Sequence, residues 1–255
     1  MNLNSWLDWS YFPYAALGAI FVGLSKGGLP STGVLAVPIL SLVISPIKAA
    51  TLLLPIYVIS DMVGVWLYRK NFSSWNLKVL IPAGVFGVFV GWLTASITSE
   101  KMVTLLIGLI GVMFCLNIWL RKKKLQGPRS PKLLSGIFWG TLSGFTSFIS
   151  HAGAPPFQVF VLPQKLQKTV FAGTSTLVFA VINLAKILPY QNLRPYTTND
   201  LTSAIVLIPF AIGGTVLGAI LTKKLPDTLF FTLVQMALFM VSLKLIWSAR
   251  DIFFY

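Results

Sequence analysis

The chain has 255 residues and a formal net charge of +14, with 56% hydrophobic residues and only 10% charged ones. Soluble domains carry about 25% charged residues, so this composition, with a mean hydropathy of +0.82, excludes an ordinary water-facing surface. The cations lie in short stretches between apolar runs, with no zinc spacing, aromatic-basic stripe or long basic arm, which excludes nucleic acid as the reason for the charge.

Nineteen residues between Lys101 and Arg121 hold no ionisable group except Cys115, and 79–99, 169–185 and 201–222 are free of charge. Helical runs of roughly 18–25 apolar residues match the hydrocarbon thickness of a bilayer, whereas a soluble helix would carry charge along its outer face. Apolar runs and breakers predict helical segments at 11–26, 32–45, 48–68, 77–97, 102–120, 133–150, 156–163, 169–188, 201–221 and 228–247. The segments at 32–45 and 156–163 are too short to span. Each follows an interruption, Lys26-Gly27-Gly28-Leu29-Pro30 and His151-Ala152-Gly153-Ala154-Pro155-Pro156, where Pro removes a helix donor and Gly favours a turn. The expected fold class is an all-α membrane protein with about 8 full spans plus short broken or re-entrant helices. The N-terminal stretch, with Asp8 and no Lys or Arg, does not read as a cleaved signal peptide.

The two interruptions look like copies. Ser25, Gly28, Pro30 and Pro38 recur 125 positions later as Ser150, Gly153, Pro155 and Pro163. Pro82, Gly87 and Gly91 recur 127 positions later as Pro209, Gly214 and Gly218, and Ala49-Ala50-Thr51 resembles Ala172-Gly173-Thr174. Two transmembrane repeats are therefore expected, at 1–124 and 133–255, joined by a basic linker at 125–132. Four loops, with Arg69, Lys70 and Lys78, with Arg121 to Lys124, Arg129 and Lys132, with Lys165 and Lys168, and with Lys223 and Lys224, hold thirteen of the twenty cations. Placing them on the cytoplasmic side gives each half about five segments and makes the halves inverted, with both termini outside. Lys48, Lys101, Arg194, Lys244 and Arg250 fall on the other side. Trp6, Trp9, Tyr11, Tyr14, Trp66, Tyr68, Trp75, Trp119, Tyr190, Tyr196 and Trp247 are expected as interfacial aromatics. Gly84, Gly87 and Gly91, with Gly213, Gly214 and Gly218, are expected to pack helices closely.

Gly23-Leu24-Ser25-Lys26-Gly27-Gly28-Leu29-Pro30 and Ser150-His151-Ala152-Gly153-Ala154-Pro155-Pro156, with Pro38, Pro163 and the Ala-x-Thr elements, resemble the duplicated signature of the sulfite exporter (TauE/SafE) family. The resemblance covers essentially the whole chain. It implies a multi-pass protein of the cytoplasmic (inner) membrane that carries sulfite or an organosulfur anion. Lys26 and His151 stand where the common Gly-x-Gly-Gly-Gly form has small or apolar residues, which makes a related sulfonate or carboxylate a further expectation.

Half-helix N-termini inside a membrane attract anions, so the amides of 30–33 and 155–158 are candidate donors. The candidate substrate-binding residues are Ser25, Lys26, Gly27, Gly28, Ser31, Thr32, Ser150, His151, Gly153, Gln158, Thr174 and Asn183. Lys26 would attract the anion and His151 would donate to it or move a proton. Asp61 and Lys186 are coupling or charge-pair candidates; Lys186, close to Pro189, could instead snorkel. Thr51, Ser175 and Thr176 are polar linings or bond their own helices. The expected partners are a small anion and the lipid bilayer, with room for a coupling proton or cation and for a homo-oligomer. No cofactor, metal or nucleic acid is expected. An alternating-access secondary transporter is the expected activity and an anion channel the alternative. A polytopic membrane enzyme fits less well, since the sequence has no His-Glu-x-x-His, paired intramembrane carboxylates or nucleotide loop.

Overall fold

The computed structural model describes residues 12–44, 46–120, 127–193 and 195–250. Asp8, Trp6, Trp9, Tyr11, Arg121 to Lys124 and Arg194 lie outside the described residues. Among the described residues the regular structure is wholly helical. Helix α1 (Phe12–Lys26) leads through a turn into a 3-10 segment (Pro30–Leu35) and the short α2 (Ala36–Leu40). Then come α3 (Pro46–Tyr68), α4 (Ser74–Thr94), α5 (Glu100–Leu120), α6 (Leu133–Ser150), α7 (Ala154–Val161), α8 (Lys168–Leu193), α9 (Thr198–Lys224) and α10 (Asp227–Ser248). Seven of these, α3 to α6 and α8 to α10, are long and apolar enough to cross a bilayer. The molecule is thus an all-α, multi-pass membrane protein. Helix α1, expected as a further span, has fifteen described residues.

Element boundaries follow local chemistry. Helix α4 begins three residues before its predicted start because Ser73 caps it, accepting from the Asn76 amide at 3.4 Å. Thr197 and Asp200 form a capping box that starts α9 early. Helix α8 runs through Pro189 to Leu193 instead of stopping near 188. The segment expected at 32–45 is shorter and tighter, a 3-10 segment followed by one α-turn that ends at Leu40.

The pairing of helices exchanges between the halves. Helix α1 packs on α9 and α6 on α4; α3 packs on α9 and α8 on α4; α3 meets α8 and α5 meets α10. The 3-10 segment leans on α10, and α7 leans on α5. The basic loops gather at one end. Arg129 N–H donates to Pro163 O at 3.0 Å, and the Asn76 and Gln164 side-chain amides exchange hydrogen bonds of 2.8 and 3.2 Å. Lys168 bonds Leu225 O and pairs with Asp227 at 3.2 Å.

Trp66, Trp75, Trp119, Tyr14 and Trp247 are exposed, as interfacial aromatics should be, but Tyr68 is fully buried, its hydroxyl donating to Gly27 O at 2.6 Å. Tyr190 is likewise drawn inward, to His151. Small residues bring backbones together where α1 meets α9 and α4 meets α6. A Cβ on Gly23 would stand 2.0 Å from Ala211 O, and one on Gly144 1.9 Å from Gly84 O. Gly213 departs from the expected stripe, having nothing within 4 Å of its would-be Cβ. Gly23→Ala is therefore expected to destabilise the protein by about 1–3 kcal/mol through forced separation of α1 and α9. Gly213→Ala should leave stability unchanged or slightly raise it. Thermal unfolding of the purified protein in detergent checks both, and equal melting temperatures would refute the packing assignment.

Candidate functional site

Each interruption ends a helix in the membrane with a backbone reversal. Gly28 takes φ +120°, and a side chain there would also meet Thr222 Oγ1 at 2.4 Å, so glycine is required twice over. At the second interruption His151 takes the left-handed conformation at φ 52°, which stops the helix, and the Ala152 amide reaches back to Thr146 O at 3.2 Å. The interruptions touch: Gln158 Nε2 donates to Ser31 Oγ at 2.6 Å.

Between them lies a cavity lined by Ser25, Lys26, Ser147, His151, Ser175 and Lys186, among others, with Tyr57, Phe179 and Val34 as apolar wall. Its volume is about 30 Å³, more than the roughly 10–15 Å³ one water needs.

The charged groups are ordered by neighbours from different helices. Lys26 Nζ, 4% exposed at the end of α1, lies 2.8 Å from Asp61 Oδ1 on α3. It also sits over the rings of Tyr57 at 5.1 Å and Phe179 at 5.7 Å, a cation–π arrangement. Asn183 Nδ2 donates to the other carboxylate oxygen, Asp61 Oδ2, at 2.7 Å. Lys186 is 1% exposed on α8 and donates to Ser147 O and Ser147 Oγ, each at 3.2 Å. Its partners are neutral. Full burial in mid-helix replaces the snorkelling reading. His151 Nε2 lies 2.8 Å from Tyr190 Oη, and its ring stacks on Tyr57 with centroids 5.8 Å apart.

The structure brings Ser25, Lys26, Gly153, His151, Asn183 and Lys186 to the cavity wall, with Asp61 behind Lys26 and Ser31 joined to Gln158. Other predicted residues serve the backbone. Gly27 faces α9, where a Cβ would stand 2.5 Å from Thr215 O, and its carbonyl accepts from Tyr68 and Thr222. Thr32 donates to Leu29 O and Phe21 O, and Ser150 to Thr146 O. Thr174 donates to Val170 O and accepts from the Ser73 amide. The amides expected at the half-helix starts are scarce: Pro30, Pro155 and Pro156 have no N–H, the Thr32 amide is bonded to Leu29 O, and that of Phe157 to Gly153 O.

The sequence reading missed Tyr57, Phe179, Ser147 and Tyr190 as part of this site. Helical spacing carries the signal. Tyr57 is one turn before Asp61, Phe179 one turn before Asn183, Ser147 one turn before His151, and Tyr190 one turn after Lys186.

Removing one partner of the Lys26–Asp61 pair leaves a buried charge unmatched, so Lys26→Met and Asp61→Asn should each cost about 3–5 kcal/mol. The double substitution is expected to recover most of that loss. Melting temperatures of the four proteins provide the check, and simple additivity would show that the pair is not coupled.

Comparison with known proteins follows this geometry. The model of the family described as sulfite exporter TauE/SafE matches residues 15–245. No curated protein matches the chain, and no solved structure does. The match runs from the start of α1 almost to the end of α10 and so includes both interruptions and every residue of the cavity wall. The chain belongs to the sulfite exporter TauE/SafE family, a family of membrane transporters rather than enzymes.

Proposed function

We propose that this chain is a secondary transporter that moves a small sulfur oxyanion, sulfite or a sulfonate, across the cytoplasmic membrane by alternating access to the cavity between the two interruptions. The observation that carries this reading is Lys186. It is a cation buried in the membrane interior, bonded only to neutral oxygens, and facing a cavity. A charge in that position is costly and calls for a counter-charge. Lys26 already has one in Asp61. The Ser175 hydroxyl, 1% exposed on the cavity wall, has no hydrogen-bond partner among the described residues. Lys186, Ser147 and Ser175 are the donors offered to the anion, with Lys26 and His151 lining the same cavity.

Alternating access draws support from the exchange of helix pairings between halves, the pattern of inverted repeats. Tyr57, Asp61 and Tyr68 recur 122 positions later as Phe179, Asn183 and Tyr190, which adds to the duplication. The hydrogen bonds that join basic loops at one end support placing that end in the cytoplasm and both termini outside. A water-sized cavity takes an oxyanion only after its walls move, which favours a carrier over a channel.

In proteoliposomes of the wild-type protein, uptake of labelled sulfite or methanesulfonate should saturate with concentration. Lys186→Met should weaken apparent affinity by about ten- to a hundredfold, the cost of a lost charged hydrogen bond, with normal reconstitution. Uptake that rises without saturation would favour a channel, and an unaltered Lys186→Met protein would move the site elsewhere.

A further inference from the structure

The arrangement of charge around the cavity sets the valence of what it holds. Five buried residues of the Asp, Glu, Lys, Arg and His types occur among the described ones: Lys26, Asp61, His151, Lys186 and Asp200. Asp200 caps the start of α9, away from the cavity. The other four meet at the interruptions. Lys26 and Asp61 cancel at 2.8 Å. His151, bonded to Tyr190 and stacked on Tyr57, adds no charge while its imidazole is neutral. That leaves the ammonium of Lys186 with its neutral partners.

We propose that the site offers one uncompensated positive charge, accepts monovalent oxyanions as they are, and accepts a divalent oxyanion only together with a proton on Asp61. This rests on the transporter reading above and narrows its substrate class to monoanions of the sulfonate or hydrogen sulfite kind. A monoanion against Lys186 brings the buried site to neutrality. A dianion leaves it one negative charge in excess, a state that membrane burial opposes. Asp61 is the carboxylate that can relieve the excess. Taking a proton from water, it releases Lys26 from its pair, so that both ammonium groups face the dianion.

The groups around Asp61 allow this assignment. Lys26 approaches from α1, Asn183 and Lys186 from α8, and Tyr57 stands one turn earlier on α3 itself. His151 reaches the same cavity from the end of α6. Helix α9 also packs on α3, but its ionisable residues Asp200, Lys223 and Lys224 lie in its first and last turns. The short α2 contributes none. The proton acceptor beside Lys26 is therefore Asp61, and the competing sites are His151 and Lys186.

Methanesulfonate and sulfate test the rule, because each keeps a fixed charge between about pH 5 and pH 8, so any pH dependence belongs to the protein. Calorimetry on the full-length wild-type protein in detergent should show methanesulfonate binding at least about tenfold more tightly than sulfate at about pH 8. That gap should narrow as pH falls, through gain in sulfate affinity alone. Asp61→Asn should lift sulfate binding and abolish its pH dependence; a dependence that persists would assign the proton to His151 or Lys186 and overturn the proposal. Should Asp61→Asn fail to fold, Asn183→Asp tests the same arithmetic in the opposite direction. It removes the spare positive charge and should make methanesulfonate binding itself proton-dependent, whereas pH-independent binding would refute the charge count. Equal affinity of the wild type for the two anions at about pH 8 overturns the valence rule while leaving the transporter reading intact. Binding of neither sulfite, methanesulfonate nor sulfate would remove the transporter reading itself.

Discussion

Two helices that stop inside a hydrocarbon layer expose backbone groups to a solvent that cannot hydrogen-bond them, and the structure is organised around covering those groups. Six carbonyls at the interruptions are met by side chains. Tyr68 and Thr222 donate to Gly27 O, Thr176 to Lys26 O and Tyr57 to Gly33 O. At the second interruption Ser143 donates to Gly153 O, Thr146 to Ala152 O and Tyr190 to Phe148 O. Most of these donors come from helices other than the one interrupted, α3, α8 and α9. The same bonds that satisfy the backbone therefore fix the interruptions against the spans around them. In a bilayer the alternative to such a bond is an unmet polar group, which costs several kcal/mol.

That constraint explains which parts of the site could be read from the amino-acid sequence. The interruptions were legible because Gly and Pro announce them directly, and the long spans because charge is missing from them. Lys26, Asp61, Asn183, His151 and Lys186 were legible because an ionisable or amide side chain in an apolar run is rare. Hydroxyl groups were not. Ser25, Thr32, Ser150 and Thr174 look the same in sequence whether they face a ligand or a carbonyl, and here each donates to the backbone of its own or a neighbouring segment. Tyr68 and Tyr190 were hidden for the opposite reason. A tyrosine near the end of an apolar run fits an interfacial belt, and only the fold shows Tyr68 and Tyr190 turned inward to cover carbonyls.

The amide donors expected at the half-helix starts show how a general rule is modified by particular residues. A helix N-terminus attracts an anion through its unbonded N–H groups. Pro155 and Pro156 remove two of them at the start of α7, and the first interruption continues as a 3-10 segment whose Thr32 amide is already bonded. On the proposed function, attraction for the anion then falls to side chains. This shift matters for selectivity, since a backbone cage treats all anions alike, while a small number of ionisable groups count charge.

On the proposed duplication, the scaffold is repeated but its charges are not. Lys26 corresponds to His151 at an offset of 125, and at an offset of 122 Asp61 corresponds to Asn183 and Gly64 to Lys186. One copy thus supplies an ion pair that cancels itself, and the other an amide and an unmatched lysine. Packing helps to keep the copies different. A Cβ at Gly64 would stand 2.6 Å from Thr176 and 2.9 Å from Lys26 O, so the first copy has no room for a lysine where the second carries one. Asn183 in turn touches Asp61 across the interface, and a second carboxylate there would oppose the first across the same short distance. On that reading repetition builds the cavity, and the departures from it leave Lys186 without a carboxylate partner. On the proposed valence rule, that asymmetry is what distinguishes a site that selects by charge from one that merely attracts anions.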